Sequence, residues 1–237
     1  YAWTQDTIAP VTRTIGDCAL VLQTIAGHDP KDPYSSRKNV PNYQEGLTQS
    51  MKGLRIAKIR ELCDNEDIDT DVRASIENSL NVFKDLGAEI KEVSIPLIGL
   101  AGAIFVGIAD TEGSGARDEI LRNRPQDLDP ATRTRLQSAA LVPHKIYNRA
   151  AKARVLLRTQ FMEALKEADV LVSPTSPYPA PLHTSLTAAF DSADDVRDRF
   201  FFRRAYTGCY ALTALPAISI PGGFTKNKLP IGLQLGA

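Results

Sequence analysis

Apolar residues at Val11, Ile15, Cys18, Leu22 and Ile25 recur on one face of a helix and predict one over residues 10–26. Gly27 is placed to end it in the left-handed conformation that glycine adopts without steric cost. His28-Asp29-Pro30-Lys31-Asp32-Pro33 follows, and each proline disfavours helix in the residue before it, so residues 28–52 read as a surface connection. Residues 54–59 predict a strand. Thr70 is the expected cap of a helix over 71–86, with Val72, Ile76, Leu80 and Phe83 inward and Gly87 as its stop. A second strand follows over 89–95. A strand, a helix, a Gly-Ala turn and a strand in close succession make a β-α-β unit, which favours parallel pairing.

Residues 97–122 read as helical, weakened by Gly99, Gly102 and Gly107, with Gly113-Ser114-Gly115 expected to loosen or break the helix. Asp129-Pro130 is a cap followed by proline in the first turn and predicts a helix to about residue 141. Pro143 opens a longer one to about 167, with Ile146, Tyr147, Ala150, Leu157, Phe161 and Leu165 on its apolar side. Its other face carries Lys145, Arg149, Lys152, Arg154 and Arg158, read as a solvated helix face. Val170-Leu171-Val172-Ser173 predicts a third strand, running into Pro174-Thr175-Ser176-Pro177-Tyr178-Pro179-Ala180-Pro181, a stiff extended loop. Residues 194–215 are again helical. Residues 216–224 and 229–236 read as two closing apolar strands. The expected fold is α/β, a mixed β-sheet covered by helices, with residues 1–237 as a single domain.

Composition narrows the function classes. The 237 residues are 43% apolar and 24% charged, which suits a globular protein and argues against disorder. Lys+Arg and Asp+Glu stand at 28 each, so no global field draws the chain to nucleic acid or an anionic membrane. A small molecule is the expected partner, and a homodimer is compatible with the sequence. The apolar run over 97–109 holds three glycines and is shorter than the roughly 20 residues a bilayer span needs, so a buried helix is expected there. No basic-then-apolar leader opens the chain, and a cytoplasmic location is expected. Tyr1 is not a Met and Ala237 ends a strand-like run, so both ends are expected to cut through structure.

Cys18, Cys63 and Cys209 are odd in number and far apart, as in a reducing compartment; Cys18 and Cys209, among apolar neighbours, are expected to be buried. His28, His144 and His183 have no Cys or carboxylate at ligand spacing, so no metal or other cofactor is expected. A nucleophilic hydrolase needs an activated nucleophile, a proton shuttle and donors for the oxyanion. Gly113-Ser114-Gly115 lacks the spacing of a nucleophile elbow, Ser35-Ser36 sits in a charged loop without glycine, and no histidine has an obvious serine partner. No catalytic residue is assigned.

Three stretches carry a family resemblance. Residues 6–19 with Ile25-Ala26-Gly27-His28-Asp29-Pro30-Lys31-Asp32 resemble the segment following the nucleophile region of amidase-signature enzymes. Residues 169–177 are similar to their strand ending in a Pro-Thr-x-Pro turn, and the closing pair Pro216-Ala217-Ile218-Ser219-Ile220-Pro221-Gly222-Gly223-Phe224 and Leu229-Pro230-Ile231-Gly232-Leu233-Gln234-Leu235-Gly236 resembles their final segment. The resemblance implies the C-terminal part of an amidase domain. Such enzymes cleave carboxamides with a Ser-Ser-Lys triad, and the segments holding it are expected upstream of Tyr1, on the missing N-terminal part of the same protein. The 237 residues alone are therefore expected to be inactive. The resemblance also puts the Pro174–Pro177 turn beside the acyl pocket, making Thr175, Ser176 and Tyr178 the substrate-binding candidates. Arg135 reads as a solvated helix arginine before a substrate contact. One departure is Tyr210-Ala211-Leu212-Thr213-Ala214-Leu215, where the family often carries Asn-Leu-x-Gly. Residues 132–154 look closer to stand-alone amidases. The alternatives are the A subunit of a tRNA-dependent amidotransferase, and a non-catalytic binding protein of the same fold.

Overall fold

Five short runs rich in branched apolar residues supply the sheet. The computed structural model describes residues 1–182 and 192–237, so His183 lies outside the described residues. The strands are β1 (Arg55–Ile59), β2 (Glu89–Val93), β3 (Val170–Pro174), β4 (Ala217–Phe224) and β5 (Pro230–Gly236), in the order β2-β1-β3-β5-β4. β1 runs parallel to β2 and to β3, while β5 is antiparallel to both β3 and β4. The sheet is thus mixed, as expected: the parallel part needs helical crossovers, and the antiparallel part is a hairpin closed by Thr225-Lys226-Asn227-Lys228.

The described residues divide into two compact units, Thr7–Met51 and a larger one made of Tyr1–Asp6 with Lys52–Ala237. In the smaller unit, α1 spans Ile15–Ile25 and starts where Thr14 accepts the Asp17 amide. That cap overrides the earlier start read from Pro10, and it leaves Val11 outside the helix and 99% exposed. Only Ala19 of α1 is buried; Ile15 and Ile25 are exposed and Cys18 is half-buried, so the inward face read from the spacing finds no core among the described residues. Ala26 caps the helix in an extended conformation, so Gly27 follows its end instead of making it.

The larger unit holds α2 (Arg60–Cys63) and α3 (Thr70–Asp85), then α4 (Ala101–Gly115), α5 (Asp118–Asn123), α6 (Pro130–Ala140) and α7 (His144–Glu167). α8 (Ala193–Val196) leads through a π segment (Arg197–Phe202) into α9 (Arg203–Thr213). Asp69, one residue before Thr70, is the acceptor that caps α3 through the amides of Asp71 and Val72. Asp129 caps α6 through the Ala131 and Thr132 amides. Gly102, one of the glycines that weaken the prediction of α4, has a packing purpose. A Cβ on Gly102 would stand 1.9 Å from the Phe201 carbonyl oxygen, so only glycine lets α4 approach the π segment this closely. Ala101, Ile104 and Ile108 of α4 enter one core with Leu157 and Phe161 of α7, Tyr206, Cys209 and Leu212 of α9, and Ala57 and Ile59 of β1. Pro96–Ala116 is long and apolar enough to cross a membrane by composition, but half of it is buried in this core.

Two of the basic residues on α7 reach back to the fold, Arg154 half-buried and Arg158 still exposed. Arg154 Nε donates to the Leu212 carbonyl at 2.6 Å and its other nitrogens to Thr4, while Arg158 donates to the Thr213 carbonyl. They satisfy the carbonyls that the end of α9 leaves without partners, where cations are favoured. The cap itself is Ala214, at φ 51° and ψ 40°. A Cβ in the left-handed region costs about 1–2 kcal/mol, so Ala214→Gly is expected to stabilise the protein by about 1 kcal/mol, read as a higher urea midpoint.

Asp169 ties the start of β3 to that of β1. Its carboxylate accepts the Arg55 amide at 2.9 Å and the Arg55 guanidinium at 2.6 Å, while its own amide donates to the Arg55 carbonyl at 2.8 Å. Hydrogen bonds from Arg55 hold the Asp169 carboxyl at about 2, below its usual range. A depressed carboxylate pKa stabilises the fold above the ordinary value and ceases to do so as pH falls through the depressed one. The stability difference between the wild type and Asp169→Asn is therefore expected to shrink between about pH 4 and about pH 2, measured by urea melts across that range.

Candidate functional site

β3 ends at Pro174, and the two prolines of Pro174-Thr175-Ser176-Pro177 hold the chain extended beyond the sheet. The turn is fixed on three sides. Thr175 N donates to the Gly232 carbonyl at 2.9 Å, and Asp69 N donates to the Pro177 carbonyl at 3.0 Å. Ser176 Oγ donates to the Tyr178 carbonyl at 2.8 Å. The Thr175 and Ser219 hydroxyls meet at 2.6 Å.

A cleft of about 240 Å³ opens beside this turn, and Thr175, Ser176 and Tyr178 all line it, with Val72 of α3, Arg203 of α9 and Ile231 of β5. Gly232 forms part of its wall, where a Cβ would stand 2.8 Å from Thr175 Oγ1 and 3.0 Å from Ser219 Oγ. Behind it, Tyr178 packs on Phe202 at 6.2 Å, and Phe202 meets Tyr206 edge-on at 5.4 Å. Gln234 joins three elements from the buried side: its Nε2 donates to the Tyr206 carbonyl at 2.7 Å and to Ser173 Oγ at 3.2 Å. Gln234 and Ser219 are contributors that the sequence reading did not single out. The available signal is a glutamine between Leu233 and Leu235 on an otherwise apolar strand.

The lining offers hydroxyls, one guanidinium and apolar walls, with neither a carboxylate nor a histidine among the described residues around the cleft. It can hold and orient a small polar molecule; among the described residues it presents no general base. Burial pushes the Tyr206 phenol and the Cys63 thiol up, and Cys209 up to about 12, so none is a thiolate or phenolate near neutrality.

Other sequence candidates fall elsewhere. Ser114 is buried near the end of α4. Ser35 does have a histidine neighbour, with His28 Nδ1 3.3 Å from its Oγ in an exposed loop, a pair the sequence reading did not see. The same Oγ accepts the Asp29 amide at 2.7 Å, which makes it part of the loop's own turn. Arg135 is half-buried and pairs with Asp110, its Nε 2.9 Å from the carboxylate, which also accepts the Tyr1 hydroxyl at 3.1 Å. No group of three or more metal-ligating side chains converges among the described residues.

The family model described as Amidase matches residues 1–237. The A subunit of the glutamyl-tRNA(Gln) amidotransferase of Gloeobacter violaceus is 33% identical over 263 residues, covering all of this chain and 52% of the relative. An amidase of Pseudomonas putida is also 33% identical, over 240 residues, covering 99% of this chain and 50% of the relative. Among solved structures, the A subunit of the glutamyl-tRNA(Gln) amidotransferase from Thermotoga maritima superposes with a TM-score of 0.81 at 26% identity, over 99% of this chain and 49% of its own. The chain spans about half the length of the relatives it matches.

Proposed function

The chain belongs to the amidase signature family, and on that premise we propose that it forms the C-terminal part of an enzyme domain that cleaves carboxamide C–N bonds in the cytoplasm. In this reading a Ser-Ser-Lys triad lies upstream of Tyr1. A lysine there would be neutral because burial penalises its ammonium form, and it would activate the nucleophilic serine through the bridging one. Backbone amides of the same upstream region would hold the oxyanion. The 237 residues supply a wall of the amide pocket, with Thr175, Ser176 and Tyr178 in contact with substrate. The observation that carries this is the cleft at the end of β3, whose described lining can bind a small polar molecule yet offers nothing to activate a nucleophile.

Residues 132–154 read as nearer to stand-alone amidases, but the relatives named as A subunits of glutamyl-tRNA(Gln) amidotransferases support the amidotransferase reading more strongly. We therefore place the A subunit of a tRNA-dependent amidotransferase ahead of a free-standing amidase. Ammonia release from glutamine and from simple carboxamides, assayed with the natural polypeptide as isolated from cells, separates the two. An amidotransferase component is expected to co-purify with partner chains and to respond to tRNA. Turnover of simple carboxamides by a polypeptide that has no partner would overturn the amidotransferase reading, and no turnover in either form would overturn both.

A further inference from the structure

α9 opens on two consecutive arginines, Arg203 and Arg204, both half-buried. Arg203 is the one cationic side chain in the described lining of the cleft, and that side chain makes no hydrogen bond or ion pair among the described residues. Arg204 has its guanidinium carbon 3.7 Å from the centroid of the Phe200 ring, and its Nη1 donates to the Phe200 carbonyl at 2.9 Å. Its Nε and Nη2 have no partner among the described residues. A guanidinium stacked on an aromatic ring is held by its face and keeps its edge free to donate.

The charge around Arg204 is unbalanced. Arg135 stands beside the same ring, 5.5 Å from its centroid, and donates through Nε and Nη2 to both oxygens of Asp110. Asp110 is therefore already paired. Burial first, and then the charge of Arg135, hold the Arg204 guanidinium below its ordinary range, although it stays a cation near neutrality. Arg203 acts in the same direction, so the two side chains are close enough for one anion to be felt by both. A partly buried cation without its own anion costs free energy, which a bound carboxylate would offset through charge-assisted, forked hydrogen bonds. An ammonium group meets the opposite situation: neither the cleft lining nor the Phe200 cluster offers it an unpaired carboxylate among the described residues.

We propose that Arg203 and Arg204 form a receptor for a carboxylate on the amide substrate, and that an ammonium group on the same substrate adds nothing to its binding. The protein then selects among carboxamides by negative charge. The inference rests on the reading of the cleft as an amide pocket, and it holds for an amidotransferase subunit and for a free-standing amidase alike.

Calorimetric titration of the natural polypeptide with three ligands tests it, each with a methyl ketone in place of the carboxamide so that nothing is cleaved. The isostere of glutaramate ends in a carboxylate, a second ligand of the same length ends in a neutral alcohol, and the isostere of glutamine adds an ammonium beside the carboxylate. The carboxylate is expected to bind at least about tenfold tighter than the alcohol, and the ammonium to raise the affinity by less than about threefold. Arg203→Gln and Arg204→Gln are each expected to cut the preference for the carboxylate to about threefold or less. Arg204→Lys, which keeps the charge and loses the fork, is expected to retain part of it and so separates a lost contact from a damaged fold. Equal binding of carboxylate and alcohol would overturn the proposal, as would a preference that survives Arg203→Gln and Arg204→Gln combined. A gain from the ammonium beyond about threefold would reveal a partner for it and overturn the proposal equally. Sulfate that binds at these arginines without displacing the glutaramate isostere would assign them to a free anion, with the same consequence. Ammonia release plays no part in the readout, so selective binding by an inactive protein would count against the proposed reaction only.

Discussion

Phe161→Ala in the natural polypeptide is expected to lower the unfolding free energy by about 3–5 kcal/mol, seen as a lower urea midpoint at unchanged slope. Phe161 is 0% exposed and sits towards the C-terminal end of α7, in the core shared with α4, α9 and β1. Its ring meets Tyr210 of α9 edge-on, with centroids 5.5 Å apart and planes at 74°. Truncation removes both the buried area and this aromatic pair, and the surrounding helices are too close-packed to collapse into the space. Tyr210→Phe serves as the control. The Tyr210 hydroxyl is buried with no hydrogen-bond partner among the described residues, so its removal is expected to be neutral or slightly stabilising. A cost above about 2 kcal/mol for Tyr210→Phe would mean that the hydroxyl has a partner after all.

Gly232→Val is expected to raise KM for a carboxamide by about tenfold or more while kcat changes less, because uniform substrate binding is lost before the chemistry is touched. A side chain at residue 232 has to displace the Thr175 and Ser219 hydroxyls, which hold each other at 2.6 Å on the rim of the cleft. Tyr178→Ala removes lining without introducing a clash, so it gives the same direction should Gly232→Val fold poorly. Unchanged KM in a well-folded Tyr178→Ala protein would remove the cleft from the substrate's path.

Much of the fold was legible because local rules decided it. Strands β1 and β3 and the closing hairpin follow from short apolar stretches, and β2 from the Gly-Ala turn and alternating pattern after α3. Asp129-Pro130 and Pro143 marked helix starts that the structure keeps within a residue. What could not be read depended on partners distant in sequence. Gly102 counts against a helix until the Phe201 carbonyl is seen against it. Arg154 and Arg158 look like parts of a purely solvated face until the end of α9 arrives to accept their hydrogen bonds, although Arg158 stays exposed. Arg135 likewise waits on Asp110, 25 residues away. In the smaller unit the apolar spacing of α1 predicts its helix but carries no information about what covers it. The cleft was legible in part: the Pro-Thr-Ser-Pro turn carries its own signal, whereas Gly232, Ser219 and Gln234 join it through strand pairing alone.

The central claim is that these residues shape a pocket whose reactive serines and lysine lie outside them. Labelling the natural polypeptide with a fluorophosphonate and mapping the modified serine by mass spectrometry tests it most directly. The expected result is a single labelled serine upstream of Tyr1, and no label within the 237 residues. Stable modification of Ser35, Ser114, Ser176 or any other serine of this segment would contradict it.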